Sequence, residues 1–364
     1  MRRYGHLFEK IYDMDNLRRA HANAKKGKGW YREVQMVDND PDFYLGELQK
    51  MLITQTYQTS EYATFIKNDT GKVREIFKLP YYPARICQWA IMQVIEPYLL
   101  KRLTKDTYSA IPGRGIHLCL SRLRKALKTD EAETLYCLKI DVRKFYPSIR
   151  HDILKQMYRG LFKDEKLLWL LFEIIDSTPG EVGIPIGNYL SQYGGNFYFC
   201  AFDHWIKEVK RVKYYYRYMD DCVLLGPDKE TLHALRKEIE TYFKETLALD
   251  LKDNWQVFPV DARGIDFVGY RVFRDYTLLR KSTAKNIKKR MRLIRKKWES
   301  GQDLTLNDYG AVNSYGGWLK HCDSHRLQVK YVFPILQATS EYHKKYLKKG
   351  GKKKWLITVM YRAL

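Results

Sequence analysis

Tyr218-Met219-Asp220-Asp221 sets two adjacent carboxylates between two strand-like runs, Tyr214–Arg217 and Cys222-Val223-Leu224-Leu225. Neighbouring like charges raise each other's pKa and are costly at a short turn, although aspartate favours turns for conformational reasons alone. A cation bound at the turn would remove the repulsion. A third carboxylate, Asp141, ends the apolar run Tyr136-Cys137-Leu138-Lys139-Ile140. Brought to the same edge of one sheet, it completes a cage of hard oxygen ligands of the kind magnesium prefers. Two ions about 4 Å apart in such a cage activate an attacking 3′-hydroxyl and stabilise a leaving pyrophosphate. In that chemistry the protein positions and stabilises charge and does little covalent work.

The elements that must carry these residues fall into four zones, with no internal repeat or long linker. Residues 1–70 mix helical patterning with polar loops such as Asp38-Asn39-Asp40-Pro41. Residues 71–135 open with an extended stretch from Lys72 to Pro80. A helix follows from Arg85 to Lys101, with Ile86, Ala90, Met92, Ile95 and Leu99 at helical spacing and Pro97 kinking or shortening it. Residues 136–275 alternate strands with helices. The strand to Asp141 is followed by helices His151–Phe162 and Glu165–Ile175 and a long helix Leu190–Val209. Strands Val212–Tyr218 and Cys222–Leu225 flank the acidic turn; a helix Thr231–Leu247 and a strand Ile265–Phe273 complete the zone. Residues 276–364 are helical and basic. The fold class this implies is α+β.

Charge points to the partner. Lys plus Arg is 65 against 42 Asp plus Glu, a formal net charge of +23. Such a surplus serves a polyanion, because each phosphate contact releases condensed counterions. From Arg280 to Lys297 ten of eighteen residues are basic and none is acidic. Ile287, Met291, Ile294 and Trp298 step by four, three and four through that run. They mark an apolar stripe on one side of a helix whose other side, with Lys285, Lys288, Lys289, Arg292 and Arg295, is free to lie along a phosphate backbone. Lys344-Lys345, Lys348-Lys349 and Lys352-Lys353-Lys354 repeat the theme. Six scattered cysteines show no paired spacing and argue against a zinc site or disulfide framework. No apolar run is long enough for a membrane span, and the opening Met1-Arg2-Arg3-Tyr4-Gly5-His6 lacks the apolar core of a secretory signal. No membrane association and a reducing, cytoplasmic setting are expected.

Tyr218-Met219-Asp220-Asp221 resembles the metal-binding signature of reverse transcriptases. Lys139-Ile140-Asp141-Val142-Arg143-Lys144-Phe145-Tyr146 resembles the family's first metal motif, and Gly264-Ile265-Asp266-Phe267-Val268-Gly269-Tyr270 resembles its primer grip. The resemblance runs from about residue 70 to about 330. It implies a right-hand polymerase with fingers (71–135, with 150–185 shared between fingers and palm), a palm of antiparallel sheet plus helices with the primer grip (136–275), and a helical thumb and tail (276–364), after an N-terminal region (1–70). It implies that Asp141 and Asp220 hold two Mg2+ ions, with Mn2+ able to substitute, that Asp221 supports the site, and that Val142 adds a backbone carbonyl. Tyr146 stands where the family has its sugar gate, which excludes a ribose 2′-hydroxyl. Lys72, Arg74 and Arg85 resemble fingers residues that contact the incoming nucleotide. Phe267, Gly269 and Tyr270 take the primer-grip positions.

Gly183-Ile184-Pro185-Ile186-Gly187-Asn188-Tyr189-Leu190-Ser191-Gln192 narrows the resemblance. Most reverse transcriptases begin this nucleotide-pocket motif with Gln-Gly and end it with Ser-Pro. Ile186-Gly187 followed by Ser191-Gln192 resembles the enzymes of diversity-generating retroelements, as do Tyr108-Ser109-Ala110-Ile111-Pro112-Gly113-Arg114-Gly115-Ile116-His117 and Asn313-Ser314-Tyr315-Gly316-Gly317-Trp318-Leu319-Lys320-His321. The Ile186 side chain neither donates nor accepts a hydrogen bond, and apolar contact rejects wrong partners less well than polar recognition. This resemblance implies error-prone copying opposite template adenines. The implied partners are a template RNA, the RNA–DNA duplex with its cDNA, deoxynucleoside triphosphates, and a small basic oligomeric accessory protein, in a bacterial or phage-infected cell. A group II intron-like or phage-defence reverse transcriptase, an RNA-templated RNA polymerase, and an inactive polymerase-like RNA-binding scaffold are the competing readings. Asp152 reads as a helix-start residue, and His321 and His325 as part of a loop near nucleic acid.

Overall fold

A computed structural model describes residues 3–69 and 72–346, apart from the side chains at 67–69, 72, 74 and 343–346. In chain order the elements up to the acidic turn are α1 (Phe8–Tyr12), α2 (Met14–Ala24), α3 (Arg32–Asn39), α4 (Pro41–Ile53), β1 (Ala63–Asp69), β2 (Lys72–Lys78), α5 (Ile86–Leu100), α6 (Ile116–Thr129), β3 (Tyr136–Asp141), α7 (Phe145–Ser148), α8 (His151–Leu161), α9 (Glu165–Asp176) and α10 (Tyr189–His204). There follow β4 (Tyr214–Tyr218), β5 (Asp221–Gly226), α11 (Lys229–Tyr242), β6 (Gln256–Pro259), α12 (Val260–Arg263), β7 (Ile265–Phe267), β8 (Tyr270–Val272), β9 (Thr277–Leu279), α13 (Lys281–Glu299), α14 (Leu306–Leu319), α15 (His325–Leu327) and α16 (Leu336–Tyr346). The class is α+β. The chain divides into two compact units, Met1–Cys119 with Leu138–Val257, and Leu120–Cys137 with the residues from Phe258 onward.

In the first unit a sheet of strand order β4-β5-β3-β6 carries the acidic residues at its edge; the division between the units falls within β3 and β6. Leu138 and Ile140 of β3 and Val223, Leu224 and Leu225 of β5 are buried, the near-continuous apolar pattern of strands covered on both faces. Helices begin where short acidic side chains take up free amide N–H groups. Asp13 accepts from Asn16 at the start of α2, and Asp228 from Thr231 at the start of α11. Asp164 accepts from Leu167 at the start of α9 and also from the amides of Leu7 and Phe8, fastening the N-terminal segment there. β1 and β2 form an antiparallel hairpin in which Ala63 faces Lys78.

The second unit packs a three-stranded sheet, order β7-β8-β9, and a helical core. Ile287, Met291 and Ile294 of α13 are buried against Leu304, Val312, Leu319, Val332 and Ile335, with Trp298 partly buried beside them. The expected apolar stripe is therefore core packing. Thr305 and Asp308 make reciprocal capping bonds at the start of α14.

Most expected elements stand within two residues of their observed ends. The expected strand Ile265–Phe273 is instead two strands. Val268 (φ +44°) and Gly269 (φ +89°) turn the chain so that Phe267 pairs with Tyr270. Strand β1 lies inside the zone expected to hold helices and loops. Phe65, Ile66 and Val73 are exposed on the β1–β2 hairpin, so no one-sided apolar alternation marks it. Pro97 sits inside α5 without ending it. The basic clusters at 348–349 and 352–354 lie outside the described residues, as do the side chains of Lys344 and Lys345.

Candidate active site

β4 and β5 pair with Tyr218 opposite Asp221, leaving Met219 and Asp220 as a two-residue turn. Met219 holds φ +56° there, in the left-handed region, at a cost that its surroundings must overcome. Arg217 supplies part of the restraint. Its guanidinium donates to the Met219 carbonyl at 3.0 Å, to both oxygens of Asp203 on α10 at 2.7 and 2.6 Å, to Asn196 Oδ1 at 3.0 Å and to Thr107 Oγ1 at 3.2 Å. Both side chains of the Arg217–Asp203 pair are fully buried. Burial works against the Arg217 charge, and the Asp203 carboxylate outweighs it, so the arginine's pKa is raised. Helix α10 thus fixes the acidic turn from behind.

Asp141 reaches the same edge from β3. Its backbone is tied to the segment after α11 by Lys252 N–H to Asp141 O at 2.9 Å and Arg143 N–H to Asp250 O at 2.8 Å. Neither bond uses the Val142 carbonyl. Burial, and then the Asp141 carboxylate, push Asp220 up from 3.8 to about 7, so these two carboxyls stand close enough to repel. The Lys252 ammonium lies 2.5 Å from Asp141 Oδ2, while Asp141 Oδ1 is buried with no hydrogen-bond partner. Asp221 faces Lys139 at 3.5 Å. Among the described residues no three His, Cys, Asp or Glu side chains form a ready-made metal cage. Asp141 and Asp220 converge, and the Asp221 carboxylate is engaged with a lysine.

Tyr146 sits beside this pair. Its hydroxyl donates to Met219 Sδ at 3.5 Å, and burial followed by the Asp220 charge raises its pKa. Its ring comes within 3.4 Å of the position a Cβ on Gly195 would take, so α10 also backs the expected sugar gate. The Tyr146 carbonyl accepts from the Ile184 N–H at 3.0 Å, and the Ile186 carbonyl accepts from Phe77 N–H of β2 at 3.2 Å. The segment 184–187 therefore bridges the acidic edge and the β1–β2 hairpin. Gly187 has φ +113°, and a Cβ there would lie 3.3 Å from the Phe77 carbonyl, so only glycine suits the position. Gln192 and Arg85 line a small cavity with Gly187. Lys72 and Arg74 lie on β2, their side chains outside the described residues.

The expected primer-grip residues belong to the second unit. Phe267 and Tyr270 are fully buried. Tyr270 stacks on Trp318 at 5.3 Å and donates to its carbonyl, and a Cβ on Gly269 would collide with the Trp318 ring. Gly269 in the turn between these side chains is buried as well, and Val268 is half-buried. On α13, Lys285, Lys289, Arg292 and Arg295 are exposed and Lys288 is half-buried. Arg295 pairs with Glu299 at 2.7 Å, and Lys288 and Arg292 lie over the Tyr331 ring. Asp152 does stand in the first turn of α8, where Arg150 holds its carboxyl down at about 2. His321 and Cys322 follow α14, and burial lowers the His321 pKa. No described helix is long and apolar enough to cross a membrane.

Lys252, Lys139, Arg217 and Asp203 are absent from the sequence-based expectations. Two of them carry a readable signal. Lys139 is two residues before Asp141 and shares its strand face, and Arg217 is a charge inside an otherwise apolar and aromatic strand, which demands a buried partner. Lys252 lies 111 residues from Asp141, and no local pattern links them.

The profile described as reverse transcriptase (RNA-dependent DNA polymerase) matches residues 66–272. The protein YkfC of Escherichia coli (strain K12) is 23% identical over 252 residues, 58% of this chain and 66% of that protein. Telomerase from Candida albicans, solved with the TWJ fragment of telomeric RNA, is 12% identical, with a TM-score of 0.48 over 80% of this chain and 61% of its own. Apo telomerase from Candida tropicalis is 14% identical, with a TM-score of 0.47 over 81% of this chain and 66% of its own. This chain thus spans just under two thirds of the length of the proteins it matches.

Proposed function

This chain belongs to the reverse transcriptase (RNA-dependent DNA polymerase) family, and from that premise we propose that it is an RNA-directed DNA polymerase of the diversity-generating retroelement type, copying a template RNA into adenine-mutagenised cDNA. The observation that carries the polymerase reading is the convergence of Asp141 and Asp220 on one sheet edge, close enough that Asp220 is pushed up to about 7. The donor set fits hard divalent ions. Two carboxylates repel one another, Asp141 Oδ1 is buried without a partner, and Val142 follows Asp141 directly in the chain. Magnesium, or manganese in its place, would be held by Asp141 and Asp220 with support from Asp221 and Val142. When bound, the ions activate the primer hydroxyl and stabilise the leaving pyrophosphate.

The protein's own part is to position. Arg217 holds the acidic turn through the Met219 carbonyl. Lys252 and Lys139 balance carboxylate charge. Tyr146 fills the space where a ribose 2′-hydroxyl would project, selecting deoxynucleotides. Lys72 and Arg74 of β2 and Arg85 at the start of α5 are the basic residues assigned to substrate phosphates. Lys285, Lys288, Lys289, Arg292 and Arg295 run along the RNA–DNA duplex, with the 268–269 turn against the primer. The retroelement reading rests on the Ile186-Gly187 and Ser191-Gln192 pattern. It brings with it a structured template RNA and a small basic accessory protein as partners.

Primer extension on an RNA template with magnesium, followed by sequencing of the cDNA, tests both levels. Wild-type protein should extend, and Asp220→Asn with Asp221→Asn should reduce extension by about 10³-fold or more, as expected when charge stabilisation of the transition state is removed. Errors concentrated opposite template adenines support the retroelement type; errors spread evenly over the four bases sink it while leaving the polymerase intact.

A further inference from the structure

A cavity of about 180 Å3 lies between the loop after α2, the start of α5 and the start of α10, lined by Lys28, Leu79, Arg85, Gln88, Trp89, Gly187, Asn188, Tyr189 and Gln192. It is smaller than the ~300 Å3 at which pockets for whole drug-sized ligands begin, so it suits one compact group. Lys28 and Arg85 both face it, and no acidic side chain is among its described lining residues. Burial, and then the Arg85 charge, lower the Lys28 pKa, so the two cations sit near enough to oppose each other. Gln88 is 2% exposed. Its carbonyl oxygen receives a long bond from Leu190 N–H at 3.5 Å, and its Nε2 has no hydrogen-bond partner. The tilted ring pair Trp89–Tyr189, 4.5 Å apart, walls one side and lowers the local dielectric, which raises the cost of unmatched charge and the gain on matching it. Two opposed cations and an unused buried amide donor share one unmet requirement, a small anion rich in acceptor oxygens.

We propose that Lys28, Arg85 and Gln88 form a subsite for one phosphoryl group of the polymerase's substrates. The proposal rests on the polymerase reading above and adds Lys28, from the N-terminal region, and Gln88 to the residues that meet substrate. Two sources offer that group, a template-strand phosphate and the triphosphate of the incoming nucleotide. In either case the anion relieves the Lys28–Arg85 repulsion, and Gln88 donates to a phosphoryl oxygen.

The test compares wild-type protein with Lys28→Gln and Gln88→Leu in the full chain. One arm measures binding of a primer–template with a single-stranded RNA overhang by fluorescence anisotropy across a salt series, without nucleotide. The other measures KM for a deoxynucleoside triphosphate in primer extension. If the template supplies the phosphate, Lys28→Gln weakens binding several-fold and lowers the log–log salt slope by about 0.7, the value for one single-strand phosphate. If the nucleotide supplies it, KM rises several-fold while template binding is unchanged. Lys28→Arg keeps the wild-type values in both cases. Lys28 is half-exposed on a loop, so Lys28→Gln decides the question even if Gln88→Leu does not fold. Unchanged binding and unchanged KM in a folded Lys28→Gln protein overturn the subsite. Absence of extension by wild-type protein would instead overturn the polymerase reading, and the binding arm still reports on the pocket.

Discussion

At the edge carrying Asp141, Asp220 and Asp221, the fold supplies opposite charge: Lys252 lies against Asp141, Lys139 against Asp221, and the fully buried Arg217–Asp203 pair stands behind the turn. Along α13 the match is partial: Arg290 and Lys297 pair with the buried Asp308, and Arg295 pairs with Glu299. Its apolar stripe is buried, and Lys285 and Lys289 project outward with no internal counter-charge among the described residues. The first region is matched within the fold except for one carboxylate in excess, Asp220; the second keeps outward positive charge to be matched by something else. On the proposed reading, the unmatched remainder in each marks where a ligand of opposite sign would bind, a divalent cation in one case and a phosphate chain in the other.

Removing the internal match should produce the largest effect. Arg217→Met strands Asp203 in the core, and loss of one partner of a buried pair costs about 3–5 kcal/mol. A urea titration should show the midpoint falling accordingly. Adding Asp203→Asn should recover part of that stability. Extension should stay impaired in the double variant, because the Met219 carbonyl still lacks its donor and the left-handed turn its restraint. Full recovery of extension together with stability would reduce Arg217 to a core residue and dissolve the contrast between the two regions.

Legibility from sequence divides along the same line. The acidic turn, the strand leading to Asp141 and the apolar stripe of α13 are readable because each is written in consecutive or periodic residues. The matching charges are not: Lys252 and Asp203 reach their partners across 111 and 14 residues and belong to other elements. The primer-grip segment shows a different limit. Its residue types suggest one strand, but Val268 and Gly269 take positive φ and fold it back into two, and Phe267 and Tyr270 are buried. The β1–β2 hairpin is half-legible because its exposed apolar residues carry no inward face, and the Lys28–Arg85–Gln88 cavity depends on a loop, a helix start and residues about 100 positions away.

A smaller effect should appear in the pH dependence of the metal-free protein. Asp220 has its folded pKa raised from 3.8 to about 7, so the folded state binds the proton more tightly than the unfolded chain. The stability this gives is fully present below about pH 4 and is lost as pH rises through about 7. In chelator, Asp220→Asn should therefore melt a few degrees higher than wild type at pH 8 and no higher at pH 4. Magnesium should narrow the difference at pH 8 by relieving the same repulsion. A melting difference independent of pH would mean that the two carboxyls do not share one site.

The smallest effect belongs to α13 and sharpens the other half of the contrast. Lys285→Gln with Lys289→Gln removes two outward charges and disturbs no buried packing, so the melting temperature should stay at the wild-type value. Affinity for an RNA–DNA duplex should fall several-fold at low salt, and the log–log salt slope should drop by about 0.7–0.9 for each phosphate that is no longer neutralised. Arg295→Gln should change the slope less, because Arg295 is already paired with Glu299 and exchanges one partner for another. If the three substitutions act equally, the internal match at Arg295 has no bearing on nucleic-acid binding. If only the lysines act, the outward charges of α13 that lack an internal match are the ones that meet the phosphate chain.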